Sequence, residues 1–526
     1  MEPLWQSFSF RTEAGMRILQ VEGLGLYDVR DAAFEARFED GVYELSVVAA
    51  APLRLIECEV GFRHDFDRHD RVLLNGYQSW TSTEWKKPDG MMRGLERVPG
   101  SVVKRYNLDA LGDYRFVEYS GKPGHLHGFS YAAVRSDGDF ALIGGLQEKE
   151  GFTLIRMDCD AHLIRLEPEC PERVLRAGER TVVCRVAVLS GEEEQVYDRW
   201  FELAGIRCRT AKRLCGYSSW YRRYEDIDEG KAFDDLAGVS AAFEDLDTEG
   251  LECVFQLDDG WCRKGDWLAP DEQRFPHGMK IIADAAREQG FLPGLWMAPF
   301  VAEEDSAVVA EHPDWLLRDA EGQLVASGGH WSGHYALDTM NEEVRSYVAA
   351  CVDAAVREWG FGLLKLDFLY AACLEPHAGL NRGQLMADAW GLLREAAGED
   401  ALLLACGVPL ASVFGTADYC RIGCDVGLDW DDKLPMRLLH RERVSTKKSL
   451  RYTLAHAPLD GRVFGNDPDV VFLREDTKLS RDKREKLLAA AAEHGSVLFT
   501  SDDMGEWNAA QRAVFAGALA QLRTRD

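Results

Sequence analysis

The stretch LECVFQLDDGW (251–261) is an apolar run of strand length that ends in two aspartates and a tryptophan. The same design recurs from residue 212 onward in KRLCGYSSW (212–220), FLPGLWMAPF (291–300), LLKLDFLY (363–370), ALLLACG (401–407), DYCRIGCD (418–425), RVFGND (462–467) and SVLFTSDD (496–503). Amphipathic helices separate these runs. In 276–290, Met279, Ile282, Ala283 and Ala286 share one face, with Pro276 near the start and Gly290 at the stop. In 340–360, Val344, Tyr347, Val348, Cys351, Val352 and Ala355 share a face; Thr339 and Glu342 have capping-box spacing and Gly360 ends the helix. A third helix, 383–398, stops at Gly398. Eight alternating strand and helix units predict a (β/α)8 barrel, with a doubly wound sheet as the alternative.

Upstream the rhythm is different. GVYELSVVAA (41–50), LRLIECEVGF (53–62), FALIGGLQE (140–148), FTLIRMDCDAHLIRLEP (152–168) and TVVCRVAVLS (181–190) are short and β-branched or alternating, broken by Gly, Pro or Asp. They predict an N-terminal antiparallel β-sandwich. The fold class is therefore multidomain, β plus α/β: a sandwich over 1–192, a linker helix over 193–211 and the barrel over 212–526.

The chain has 526 residues, with 61 Lys and Arg against 89 Asp and Glu, for a net charge of −28. That field repels nucleic acid and anionic membranes, and a neutral substrate fits it. The N-terminus lacks a basic and an apolar signal region, and no run reaches membrane-spanning length, so a cytoplasmic protein is expected. The 13 cysteines form no CxxC pair and several lie in apolar runs, which fits free thiols in a reducing compartment.

In a (β/α)8 barrel the chemistry sits at the C-terminal ends of the strands. Those ends carry Asp258 and Asp259, Lys365 and Asp367, Arg421 and Asp425, Asn466 and Asp467, and Asp502 and Asp503. Trp220, Tyr221, Trp261, Trp296 and Trp430 accompany them. Lys365 and Asp367 are two apart and face the same side of a strand; Arg421 and Asp425 share parity if their strand runs straight that far. Paired carboxylates among indoles suit sugar: the rings stack on the pyranose, and two carboxyls perform glycoside hydrolysis. A metal-dependent hydrolase is the rival, but HExxH and an EF-hand loop are missing. His330 and His334 lie in SGGHWSGH (327–334), which reads as an active-site loop, and NDPD (466–469) reads as an Asx turn rather than a calcium ligand set.

QLDDGW (256–261), LPGLWMAPF (292–300), KLDFLYA (365–371) and RIGCDVGLDW (421–430), supported by NGYQSW (75–80), GYSSWY (216–221), EHPDWLLRD (311–319), YALD (335–338) and NDPDVVFLRE (466–475), resemble glycoside hydrolase family 36, the retaining α-galactosidases. The resemblance implies Asp367 as nucleophile and Asp425 as acid/base. It implies Asp258 and Asp259 on the sugar's O4 and O6, Lys365 and Arg421 on other hydroxyls, and Cys406 near the 2-hydroxyl. Trp296 and Trp220 would be pocket walls. Trp80 would be lent by the N-terminal domain, its alternative being a place in the sandwich core. No metal or cofactor is expected, and the partner is an α-galactoside oligosaccharide or glycoconjugate; assembly into a homo-oligomer stays open. α-N-acetylgalactosaminidase or transglycosylase activity within the same family, and a non-catalytic sugar-binding protein, are the alternatives. Two departures stand out: Cys424 beside the acid/base, and the expected lack of the family's usual C-terminal β domain, since the sequence stops at Asp526 after the helical stretch Ala509–Leu522.

Overall fold

A computed structural model describes residues 1–210, 212–431 and 444–525. The expected linker end at 211 and barrel end at 526 fall outside these residues.

The N-terminal part is two antiparallel sheets face to face. One has six strands, in the order Gly15–Glu22, Glu2–Thr12, Arg54–Arg63, Leu163–Pro168, Thr153–Asp158 and His125–Phe129. The other has seven, from Gly25–Val29 at one edge through Ala32–Glu39, Val42–Ala49, Arg180–Gly191, Asp139–Gly145 and Tyr131–Ser136 to Arg71–Leu74 at the other. Period-two alternation explains the packing: in Leu163–Pro168 the residues Ile164, Leu166 and Pro168 are buried while their neighbours are half-buried. Phe8, Phe34, Tyr43, Val60 and Phe62 fill the space between the sheets. The ring centroids of Phe8 and Phe34 are 3.9 Å apart.

The eight apolar runs form one parallel sheet that curls into a nearly closed barrel. Its strands are β1 (Arg213–Ser218), β2 (Leu251–Leu257), β3 (Leu292–Met297), β4 (Leu363–Leu366), β5 (Leu402–Ala405), β6 (Tyr419–Arg421), β7 (Gly465–Asp467) and β8 (Val497–Thr500). β8 pairs with β1, and a single bridge, Val471 to Thr500, helps close the remaining seam between β7 and β8. The sandwich-plus-barrel expectation holds, and the doubly wound alternative does not.

Helix ends depart from the sequence reading in detail. The helix expected over 340–360 runs Glu342–Asp353 and continues as a π turn, Ala354–Glu358, up to Gly360 at φ 85°, the expected stop; its cap is Asn341, whose side chain accepts from Glu343 N at 2.9 Å. Thr339 is fully buried instead, so the Thr339–Glu342 box does not form. Asparagine two residues later is an equally good cap and reaches the free amide. The helix Arg382–Ala397 does carry a capping box, Asn381 with Gln384.

Sandwich and barrel pack along a wide seam. The helix Glu193–Ala204 lays Trp200 and Phe201 against Phe414 of the barrel, and the Trp200 indole donates to Gly145 O at 3.0 Å. Asn75 Oδ1 meets His456 Nε2 at 3.0 Å, and Glu84 pairs with Lys448 and Arg451. Ser79 N donates to Val408 O at 3.1 Å, which pins the NGYQSW segment over the end of β5. All 13 cysteines are free.

Candidate active site

A cavity of about 340 Å³ opens at the C-terminal ends of the barrel strands, near the lower end of ligand-pocket sizes. Trp80, Trp220, Asp258, Asp259, Trp296, Lys365, Asp367, Arg421 and Asp425 all line it. The acids that end the fourth and sixth runs thus face one space.

Asp367 follows β4, and its amide donates to Met297 O at 2.8 Å, which continues the strand geometry past Leu366. Each carboxylate oxygen has a donor: Phe368 N to Oδ1 at 2.8 Å and the Trp296 indole to Oδ2 at 3.1 Å. The carboxylate is therefore fixed in direction. Lys365, two residues earlier, reaches Asp258 Oδ2 at 2.9 Å rather than Asp367. Burial works against the Lys365 charge, but Asp258 and the more distant Asp367 hold its pKa above the ordinary lysine value.

Asp258 also accepts from Gln256 Nε2 at 2.8 Å and Ser218 Oγ at 3.3 Å, so barrel strands supply its surroundings. Asp259 is held by loops. Lys264 Nζ lies 3.1 Å from Oδ1, and the Trp331 indole donates to Oδ2 at 3.0 Å. Burial pushes the Asp259 carboxyl up to about 6 against the pull of Lys264.

Asp425 is not on a strand. β6 stops at Arg421, so the parity argument linking the two residues fails. They meet because the backbone turns after Arg421 and brings Asp425 Oδ1 to 2.7 Å from its Nη2. Arg421 also contacts Asp469 Oδ2 at 2.5 Å. Burial pushes Asp425 up to about 6; Arg421 lowers it, while Asp469 and Asp367 raise it. Its side chain is 45% exposed and lines the cavity, so burial here means depth beneath the protein surface rather than contact on every side.

Cys406, Trp261 and Trp430 lie outside the cavity lining, and Cys424 is part of it. Cys406 is buried and does not line the cavity; it sits behind it, where burial and the Asp367 charge raise its thiol pKa well above the usual value. Trp261 is wholly buried, its indole donating to Trp296 O at 2.9 Å, and Trp430 packs under Lys483 outside the cavity. Cys424, given no role, does line it.

Sequence reasoning missed several lining residues: Gln78, Leu111, Gly112, Glu225, His330, Trp331, Phe368 and Val444. Gln78 lay inside the quoted NGYQSW, and His330 and Trp331 inside the loop already suspected. Asp469 was also missed. It accepts from Tyr221 Oη at 2.9 Å, Val426 N at 2.8 Å and Arg421, while its own amide donates to Asp467 Oδ1 at 2.9 Å, the Asx turn expected for NDPD. Burial lowers the pKa of both His330 and His334, His334 to about 3, which leaves them neutral. No group of three or more His, Cys, Asp or Glu among the described residues is arranged to hold a metal ion. Likewise, no helix among them is long and apolar enough to cross a membrane.

Residues 217–376 match the family described as Melibiase. The chain is 31% identical over 149 residues to an A type blood α-D-galactosamine galactosaminidase from Flavonifractor plautii, and 25% identical over 173 residues to α-galactosidase 1 of Pediococcus pentosaceus. The aligned stretches cover 26% and 30% of this chain but only 14% and 22% of those relatives. Among solved structures, an α-galactosidase from Thermus thermophilus in complex with p-nitrophenyl α-D-galactopyranoside superposes with a TM-score of 0.74 at 29% identity, covering 95% of both chains. A family 36 α-galactosidase from Geobacillus stearothermophilus gives a TM-score of 0.63 at 13% identity, over 98% of this chain and 74% of that one, a likeness of fold. The resemblance read from the motifs therefore holds in sequence and in architecture.

Proposed function

We propose that this chain, a relative of the melibiases of glycoside hydrolase family 36, is a retaining, exo-acting α-galactosidase that hydrolyses terminal α-linked galactose. One observation carries the reading. Two carboxylates that follow different barrel strands, Asp367 just past β4 and Asp425 in the turn after β6, face a single cavity whose wall holds a further buried carboxylate pair, Asp258 and Asp259. Their settings differ in the way the mechanism needs. Asp367 is aimed by two donors, whereas the pKa of Asp425 is raised to about 6, where it can hold a proton.

The nonreducing galactose enters with its O4 and O6 toward Asp258 and Asp259. Asp367 attacks C1 while Asp425 gives its proton to the glycosidic oxygen, the C1–O bond breaks, and the aglycone leaves as an alcohol. A β-galactosyl ester on Asp367 results. Asp425, now a carboxylate, takes a proton from water; that water attacks C1, releases Asp367 and yields α-galactose. Lys365 and Arg421 hold hydroxyls, and Trp80, Trp220 and Trp296 wall the ring. The same reading takes 1–192 as a supporting sandwich, 193–211 as a linking helix and 212–526 as the catalytic barrel, at work in the cytoplasm on oligosaccharides or glycoconjugates.

Hydrolysis of a p-nitrophenyl panel tests it: the α-galactoside is expected to lead the α-glucoside and β-galactoside, and a preference for the β-anomer would end the proposal. The Flavonifractor relative favours a second reading, α-N-acetylgalactosaminidase, which the corresponding α-N-acetylgalactosaminide in the same panel decides. For the nucleophile, Asp367→Ala should lose nearly all turnover and regain a part with azide, released as a galactosyl azide. Proton NMR of the first sugar formed should show the α-anomer.

A further inference from the structure

Asp258 and Asp259 are neighbours in sequence but are held by different parts of the molecule. Barrel strands clasp the first, through Lys365, Gln256 and Ser218. The second depends on Lys264 and on the indole of Trp331, which stands in the long excursion between β3 and β4. Trp331 adopts φ 54°, a left-handed backbone rare for a bulky side chain, so its surroundings must impose it. They do. Gly333 N turns back onto His330 O at 2.9 Å, and Ser332 is tied to Glu303 and Asp305. The ring packs at 5.0 Å from both Phe368 and His334, with the Lys264 ammonium 5.1 Å from its centre.

The base of this loop is fastened to the sandwich. Asn107 Nδ2 donates to Gly328 O at 3.2 Å and Arg115 Nη2 to Ala326 O at 2.9 Å. At Gly329 the approach is so close that a Cβ there would lie 2.4 Å from Tyr106 O. The same stretch of sandwich sends Leu111 and Gly112 to the cavity.

We infer that Trp331 is a positioning residue for sugar recognition: its indole N–H orients Asp259 toward one hydroxyl of the bound sugar, and the sandwich segment 106–115 sets that orientation by gripping the loop. The inference rests on the galactosidase reading and deepens it. A carboxylate with one oxygen pinned by an ammonium and the other by an indole presents its remaining lone pairs in a fixed direction. An axial hydroxyl is told from an equatorial one by such direction. The sandwich thereby takes part in substrate selection through Asp259, in addition to lending Trp80.

The test compares Trp331→Phe with wild type on p-nitrophenyl α-D-galactopyranoside and on its 4-deoxy and 6-deoxy analogues. Phenylalanine keeps the ring and removes the donor. On the parent sugar KM should rise about tenfold, the scale of one hydrogen bond to a charged group, with kcat changed less. For the analogue missing the hydroxyl that Asp259 holds, the penalty should vanish. Arg115→Ala, which removes the donor to the loop's base at Ala326 O, together with an ion pair to Glu375, and lies outside the cavity lining, should reproduce the same selectivity in weaker form. An equal penalty on all three sugars, with unchanged wild-type turnover, would overturn the role of Trp331 and leave the galactosidase reading standing. Wild-type protein that leaves all three glycosides intact would remove that reading itself, and this inference with it.

Discussion

Arg421 lies 2.7 Å from Asp425, so a guanidinium touches the very carboxyl that has to carry a proton. Left alone, that cation would keep Asp425 ionised. Asp469, 2.5 Å from the same guanidinium, offsets it, and Asp467 adds to the field around Arg421. The balance, with burial as the largest cause, leaves Asp425 at about 6.

This arrangement sets the pH profile. Asp425 works protonated, so kcat/KM should fall as pH rises through about 6. Asp259 accepts sugar hydroxyls as a carboxylate, so KM should climb as pH falls below about 6. Asp469→Asn removes a negative charge that raises Asp425. The alkaline limb of a kcat/KM profile should then move to lower pH, and an unmoved or alkaline-shifted limb would contradict the account.

Tyr221 should act through Asp469 and the backbone beside it. Its hydroxyl lies 2.9 Å from both Asp469 Oδ2 and Val426 O, and the residue does not line the cavity. Tyr221→Phe frees one acceptor lone pair of Asp469 for Arg421. A shift of the alkaline limb smaller than that of Asp469→Asn, with KM little changed, is expected from initial rates across pH.

Gly407 marks where the sandwich closes the pocket. At φ 55° its Cβ would lie 2.9 Å from Trp80 Cζ2 and 3.1 Å from Phe368 N. Gly407→Ala should cost about 1–3 kcal/mol in denaturant unfolding, as overpacking does, and raise KM by displacing Trp80. Full stability and unchanged KM would mean that the indole has room to move.

Glu148 offers a stability test away from the cavity. Burial pushes its pKa up to about 7, although Ser130 and Thr153 donate to it. The folded state therefore binds this proton more tightly than the unfolded one. Stability from this group is complete at low pH and declines as pH rises from about 4.5 to about 7. Glu148→Gln should flatten that part of a stability-versus-pH curve and recover about 3 kcal/mol at pH 8.

Much of this was legible along the chain because it depends on local periodicity. All eight apolar runs became barrel strands, since strand-length hydrophobic segments between amphipathic helices have few other ways to bury both faces. The alternation of Leu163–Pro168 likewise foretold which side chains meet in the sandwich. Lys365 and Asp367, two apart at the end of β4, reached the cavity as their spacing required. Where a helix starts was less legible: Thr339 and Asn341 both suit a cap, and packing of Thr339 into the interior decided between them.

By itself, then, the sequence determined the order of strands and helices and the acids at their ends, because a repeating pattern of apolar and polar residues is a short-range property. Tertiary structure alone decided who touches whom among those ends. Lys365 paired with Asp258 instead of Asp367, Asp425 reached Arg421 through a loop rather than along a strand, and Trp331 arrived from a distant excursion to hold Asp259. Those contacts join residues far apart in the chain or across an irregular turn. Their geometry is set by the closure of the barrel and the docking of the sandwich upon it, which no local pattern encodes.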